Sequence, residues 1–241
     1  MLQARYDDIA EWYDESVRQG LLLHEFAFPP FYELIGDVHG LTVCDLACGQ
    51  GVVARELAKR GAQVTGIDLS AKLLDIARKE EQREPRGIRY IQDDAQSLSS
   101  VGDTAFDLVV CNVALMDIPD ITATFQAVQR VLRQSGHFVF SITHPCFLPP
   151  DSHWTQEENG AVGRFVSHYF EEIYWRSDNA HGVRGKVGAH HRTLSTYLNS
   201  LIEAGLCIER LVEPSATGAI AERSPGFIEV AALLLVKAKK M

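Results

Sequence analysis

From Leu41 to Thr143, short apolar runs alternate with stretches of helical spacing. Leu41–Leu46, Gln63–Ile67, Ile88–Ile91, Phe106–Val113 and His137–Thr143 read as strands, bounded by glycine and polar clusters. Between them, Val52–Arg60 has helical spacing and stops at Gly61, Ser70 caps a helix reaching about Glu80, and Thr122–Arg133 is a helix ending at Ser135-Gly136. Strands separated by helices of about three turns imply βαβ units and a mainly parallel sheet buried on both faces. Two helices, Ala4–Val17 and Leu22–Ile35, precede the first strand, the second interrupted by Pro29-Pro30. The first carries Tyr6, Ile9, Trp12 and Tyr13 on one stripe, a core-packing pattern.

The alternation breaks at His144. Residues 144–192 are rich in aromatics, histidine and glycine, with Phe165–Trp175 as an exposed strand. An insertion of this length between sheet elements is a lid, a binding insertion or a small subdomain. Thr193 or Ser195 then caps a helix ending at Gly205, and Leu206–Val212 and Phe227–Val236 close the chain as strands. No room remains between those two for a helical crossover, so the pair is antiparallel.

Composition narrows the class. The 241 residues are 46% hydrophobic and 23% charged, ordinary for one globular domain, here 1–241 with a helical cap over 1–38 and a lid over 144–192. No apolar run approaches the roughly 18–20 residues of a membrane span, and the start lacks a secretion signal. Five cysteines form no CxxC pair, so a reduced, cytoplasmic protein is expected, without zinc or disulfides. The net charge of −9 disfavours a phosphate backbone as partner. A small molecule is the expected partner, with neither nucleic acid nor membrane.

The chemistry concentrates in Val43-Cys44-Asp45-Leu46-Ala47-Cys48-Gly49-Gln50-Gly51, at a strand-to-helix turn where backbone N–H groups converge. Gly49-Gln50-Gly51-Val52-Val53-Ala54 also satisfies the G-x-G-x-x-A dinucleotide fingerprint, so NAD(P) is an alternative ligand. Asp45 separates the two. Beside a pyrophosphate its like charge costs on the order of 3–4 kcal/mol at ~4–5 Å and an effective dielectric of ~20, and beside an ammonium it is favourable by a similar amount. The turn therefore suits S-adenosylmethionine, which ends in an amino acid and carries no phosphate. Asp68, at the tip of the second strand, can accept both ribose hydroxyls of either ligand. An acid in Tyr90-Ile91-Gln92-Asp93-Asp94-Ala95 can accept from the adenine amine, and a fourth segment runs from Asp107 through Asn112 to Asp120.

In that order and spacing the segments resemble the class I S-adenosylmethionine-dependent methyltransferases, in the small-molecule branch whose N-terminal helix reads like Tyr6-Asp7-Asp8-Ile9-Ala10-Glu11-Trp12-Tyr13-Asp14. The resemblance implies a Rossmann-like α/β fold: a doubly wound, seven-stranded, mainly parallel sheet with a terminal antiparallel pair and an inserted aromatic lid. It implies that Asp45, Ala47, Gly49 and Gly51 line the methionine end, that Asp68 with Leu69 takes the ribose, and that Asp94 and Ala95 take adenine. It further implies that Asn112 and Tyr13 close the methionine side, Tyr13 beside the reacting atoms. Ala47 stands where the family has its first glycine. Met116-Asp117 replaces a His-His pair of many relatives, so no base carries over there.

The fifth strand delivers His144 to the carboxyl edge of the sheet, where it serves either as base or substrate-orienting group, or as a hydrogen-bonding residue of the insertion. Trp154, Tyr169, Trp175 and His191 are the expected substrate contacts for a planar, moderately apolar acceptor methylated on nitrogen or oxygen. The histidines lack metal-ligand spacing. Against an S-adenosylmethionine-dependent enzyme stand a nicotinamide-dependent oxidoreductase, disfavoured by Asp45 and the lack of a Tyr-x-x-x-Lys pair, and a non-catalytic module binding the same cofactor.

Overall fold

The computed structural model describes residues 5–156, 158 and 160–241. Ala4, the expected start of the first helix, lies outside them. A 3-10 turn over Tyr6–Ile9 leads into α1, Ala10–Arg18. Helix α2 runs Leu22–Ile35 without interruption despite Pro29 and Pro30. Those prolines remove two backbone donors, but Phe26, Ala27, Phe31, Leu34 and Ile35 are buried along the helix, and that burial holds it.

The expected alternation follows: β1 (Thr42–Leu46), α3 (Val52–Lys59), β2 (Gln63–Asp68), α4 (Ala71–Arg83), β3 (Arg89–Gln92), β4 (Phe106–Asn112), α5 (Ile121–Val131) and β5 (Leu132–Thr143). The α5 helix ends two residues earlier than expected. Leu132 pairs with Phe106, so the chain enters the sheet at once and turns through Ser135 at φ +63°.

The insertion holds β6 (Ser152–Gln156) paired with β7 (Val162–Val166), then β8 (Tyr174–Trp175), α6 (Val183–Val187) and β9 (Ala189–His190). The single strand expected over Phe165–Trp175 is thus two strands. His168, at φ +53°, adopts a left-handed conformation that no strand tolerates, and the chain turns there. Helix α7 (Leu194–Glu203) is capped by Thr193, whose side chain accepts from Thr196 N–H. After β10 (Leu206–Val212) come two short helices, α8 (Gly218–Arg223) and α9 (Gly226–Glu229), and then β11 (Leu233–Lys240). The last strand begins six residues later than expected because Phe227 packs against Phe26 and Trp154 instead of entering the sheet.

The sheet order is β10-β11-β5-β4-β1-β2-β3. Strands β3, β2, β1, β4 and β5 are parallel, and β11 is antiparallel to both neighbours. Fully buried Phe125, Phe138, Phe140, Leu46, Leu57 and Ile67 join both helical layers to the sheet in one core. Chain order reverses on either side of β1, which pairs with both β2 and β4. At such a switch point a crevice opens beyond the strands' carboxyl ends.

Candidate cofactor and acceptor site

A cavity of about 290 Å³ occupies that crevice. Asp45 and Ala47 enter it from β1, Asp68 and Leu69 from β2, Asp94 and Ala95 after β3, and Asn112 from β4, with Gly49 in the turn and Tyr13 from α1 above. The structure thus gathers every expected cofactor contact except Gly51, which lies outside the cavity lining. Gly51 instead shapes the turn: φ is +81°, its N–H donates to Cys48 O at 2.9 Å, and an added Cβ would stand 2.3 Å from the Tyr90 hydroxyl. Ala47 takes φ +54°, the left-handed conformation in which a glycine carries no Cβ penalty.

The two carboxylates at the turn differ in how they are held. Asp68 Oδ2 accepts Gly49 N–H and Oδ1 accepts Ser70 N–H, both at 2.8 Å. Each oxygen keeps a lone pair for another donor. Burial raises its carboxyl to about 6, against the pull of those N–H groups. Asp45 is more deeply placed. Burial pushes it to about 8, opposed by the Ala54 N–H, and its Oδ2 has no hydrogen-bond partner among the described residues. An orphaned buried carboxylate oxygen in a ligand cavity calls for a cationic donor. Asp68 suits the ribose of either ligand, so Asp45 alone, inside the turn where a pyrophosphate would lie, separates them. The donor set fits the ammonium and ribose of S-adenosylmethionine and does not fit NAD(P).

Asn112 Oδ1 accepts from Ser141 Oγ at 2.7 Å, which leaves the amide's donors for a ligand. Asp94 also grips Gln96, accepting its backbone N–H and side-chain amide. Asp93 binds Ser100 and Ser99 and thereby closes the loop that carries Asp94. The N-terminal segment is tied down over the cavity: Asp7 Oδ1 accepts Ser70 Oγ–H at 2.6 Å and Lys72 N–H at 3.1 Å, at the start of α4.

Tyr13 meets four further residues here, Tyr6, His24, Asp117 and Arg184, that the sequence did not single out as a group. Tyr13 Oη and His24 Nε2 are 3.0 Å apart, and both line the cavity. Burial lowers His24 to about 4 and pushes Tyr13 well up, so both are neutral at physiological pH. Asp117 also lines the cavity, accepting Tyr6 Oη–H at 3.0 Å and pairing with Arg184 from the insertion. Burial raises the Asp117 carboxyl, and Arg184 pulls it back. The position read as lacking a base therefore holds an ion-paired acid.

The expected acceptor residues scatter. His144 is 2% exposed and lines neither cavity described here; Nε2 lies 2.6 Å from Glu213 Oε1, and Nδ1 accepts Cys146 N–H. With both ring nitrogens engaged by Glu213 and Cys146, it braces the β5 end, which is the hydrogen-bonding role the sequence left open beside that of a base. Trp154 packs edge-on against Phe227, under the Arg164 guanidinium and close to Gly226. The Tyr169 hydroxyl accepts Leu194 N–H at 2.7 Å at the start of α7. These two take part in the insertion's own packing and line neither cavity. Trp175 and His191 line a second cavity of about 300 Å³ beside the first.

The fold and the turn define an adenosine-cofactor site on a doubly wound sheet, and comparison with known proteins agrees. A family model described as a methyltransferase domain matches residues 44–140. A solved S-adenosylmethionine-dependent methyltransferase from Mesorhizobium loti is 32% identical, with a TM-score of 0.75 over 88% of this chain and 97% of that one. A solved structure described as a putative S-adenosylmethionine-dependent methyltransferase from Listeria monocytogenes is 28% identical, with a TM-score of 0.74 over 89% and 96%. The chain belongs to the S-adenosylmethionine-dependent methyltransferases. Among curated relatives, the ubiquinone biosynthesis O-methyltransferase of Serratia proteamaculans is 33% identical over 106 residues, a match covering 44% of either chain. The chain thus matches less than half the length of that relative. Among the described residues, no helix is long and apolar enough to cross a membrane.

Proposed function

We propose that the protein binds S-adenosylmethionine in the crevice and transfers its methyl group to an oxygen or nitrogen of a small, ring-containing molecule, releasing S-adenosylhomocysteine. The orphaned Oδ2 of buried Asp45 carries this reading, since a cationic amino group satisfies it and a phosphate does not. Asp45, Ala47, Gly49 and Asn112 hold the methionine portion, Asp68 and Leu69 the ribose, and Asp94 and Ala95 the adenine. The cofactor, when bound, supplies the electrophilic methyl carbon. The curated relatives named as O-methyltransferases favour oxygen as the acceptor atom.

The chain's own residues align the acceptor, exclude water and receive a proton. Tyr13 and His24 suit the last task. With Tyr13 Oη–H donating to His24 Nε2, the Tyr13 oxygen can accept the acceptor's proton while its own passes to the imidazole. A weak base is sufficient, because a hydroxyl or amine becomes strongly acidic as it gains the methyl group. Tyr6 and α1 cover the crevice, held by the Asp7 contacts to α4.

Calorimetry with S-adenosylhomocysteine and NAD, followed by a metabolite screen with labelled methyl donor, tests the proposal. Binding of the former and label transfer to a small acceptor are expected. Binding of NAD alone would overturn it.

A further inference from the structure

The second cavity is unlike the rest of this acidic chain. Against a net charge of −9, none of the residues lining it is Asp or Glu, while Arg164, Arg184 and Arg192 all line it. Its walls include Leu23, Met116, Leu148, Trp175 and Tyr197. Arg184 is neutralised by Asp117. Arg164 forms no ion pair with a carboxylate among the described residues, whereas Arg192 interacts with Glu172, whose carboxyl it helps hold down. Arg192, almost fully buried, donates to Leu115, Ile118 and Pro119 carbonyls. Arg164 donates Nε–H to Phe147 O and Nη2–H to Ser152 O and Oγ, and it is held below its usual range by burial. Among the described residues, nothing accepts from either N–H of its Nη1, two of the five that a guanidinium carries.

Arg164, half-buried and without a paired carboxylate among the described residues, carries a desolvation cost that an incoming anion offsets. Carbonyl contacts fix the orientation of Arg164 and Arg192 but do not cancel their charge. The planar fork of Arg164 matches a carboxylate, and the apolar wall beside Trp175 matches a hydrocarbon or ring body. The geometry points to the second cavity as a binding site for a small organic carboxylate with an apolar body, its charge received by Arg164 with support from Arg184 and Arg192. The cavity adjoins the cofactor crevice through Asp117–Arg184 and the neighbouring pairs Leu23/His24 and Met116/Asp117, each contributing one residue to either side. That the carboxylate is the methyl acceptor rests on the proposed methyltransferase function; its binding does not.

The test uses phenylacetate and its neutral isostere phenylacetamide, titrated by calorimetry into the full chain with and without S-adenosylhomocysteine. Phenylacetate should bind at least tenfold more tightly than the amide. Arg164→Gln should abolish the preference, Arg164→Lys should keep most of it, and neither should alter affinity for S-adenosylhomocysteine. The tryptophan fluorescence response to phenylacetate should shrink in Trp175→Phe, leaving what Trp154 beneath Arg164 contributes, and stay at full size in Trp12→Phe, which locates binding without touching an arginine. Equal or undetectable millimolar binding of both probes would overturn the proposal. So would a fluorescence response left at full size in Trp175→Phe, or parallel loss of S-adenosylhomocysteine affinity in Arg164→Gln, which would assign the arginine to the cofactor. Selection of phenylacetate by a protein that ignores S-adenosylhomocysteine would overturn the methyltransferase reading and leave this one standing.

Discussion

Asp68 Oδ2 accepts the Gly49 N–H at 2.8 Å, so the carboxylate ending the second strand also fixes the glycine turn after the first. Asp68→Ala therefore removes a ligand acceptor and loosens the turn that faces the same ligand. Affinity for S-adenosylhomocysteine should fall at least tenfold, about 1.4 kcal/mol, by calorimetry. Unchanged affinity would remove Asp68 from the site.

Proton linkage at Asp45 sets a pH dependence. Its carboxyl sits at about 8 in the free protein, raised by burial, so at neutral pH the native state holds a proton that the unfolded chain has released. Stability from this group is complete below the unfolded value and is lost as pH rises through 8. His24, lowered to about 4, acts in the opposite direction but only below its ordinary 6.5. The thiols of Cys44, Cys48 and Cys111, pushed well up by burial, act in the same direction as Asp45 only as pH nears their ordinary 9, so the interval from 7 to 8 isolates Asp45. The free protein's Tm should fall over that interval, and less in Asp45→Asn. A cationic ligand favours the ionised form, so the Tm gain from S-adenosylhomocysteine should grow from pH 7 to 8. A gain independent of pH would disconnect Asp45 from the amino group.

His144→Ala separates a brace from a base. Because the imidazole is committed to Glu213 and Cys146 N–H, turnover should stay near wild type while stability to urea drops by about 1–3 kcal/mol. His24→Ala should do the reverse, lowering kcat about 10²–10⁴-fold with cofactor affinity retained. Its low pKa of about 4 further requires that wild-type turnover show no acid limb attributable to this group near pH 6–7.

The turn's backbone gives a third contrast. Gly51→Ala places a Cβ at φ +81° and 2.3 Å from the Tyr90 hydroxyl, and should destabilise by about 1–3 kcal/mol in chemical denaturation. Tyr90→Phe in that background should recover part of the loss, since the hydroxyl has no hydrogen-bond partner among the described residues. Ala47→Gly, relieving a left-handed alanine, should be neutral or stabilising by up to about 1 kcal/mol.

The cofactor crevice was legible because its residues fall in short segments at strand tips, where local sequence and topology coincide. Asp45, Asp68 and Asn112 each end a buried run, and the parallel sheet brings such ends together. The acceptor side was not legible. Asp117 and Arg184 are 67 residues apart, and no periodicity links them. His24 hid inside an apolar helix. His144 misled because its position at a strand end is genuine, yet Glu213, in the loop after β10, takes its ring nitrogen. The split of Phe165–Trp175 turned on His168, whose left-handed backbone is a tertiary demand that strand propensity does not encode.

The position of β11 bears on how the chain can be made. This strand fills the slot between β10 and β5, in register with Phe138–Thr143 on one side and Leu206–Val212 on the other. Until synthesis reaches residue 240, β5 offers a bare apolar edge, and β10 has no neighbour in the sheet. A nascent chain held on the ribosome before Leu233 thus carries an open template for strand pairing with other chains. Pairing of β11 is therefore what closes the β5 edge against association with other chains.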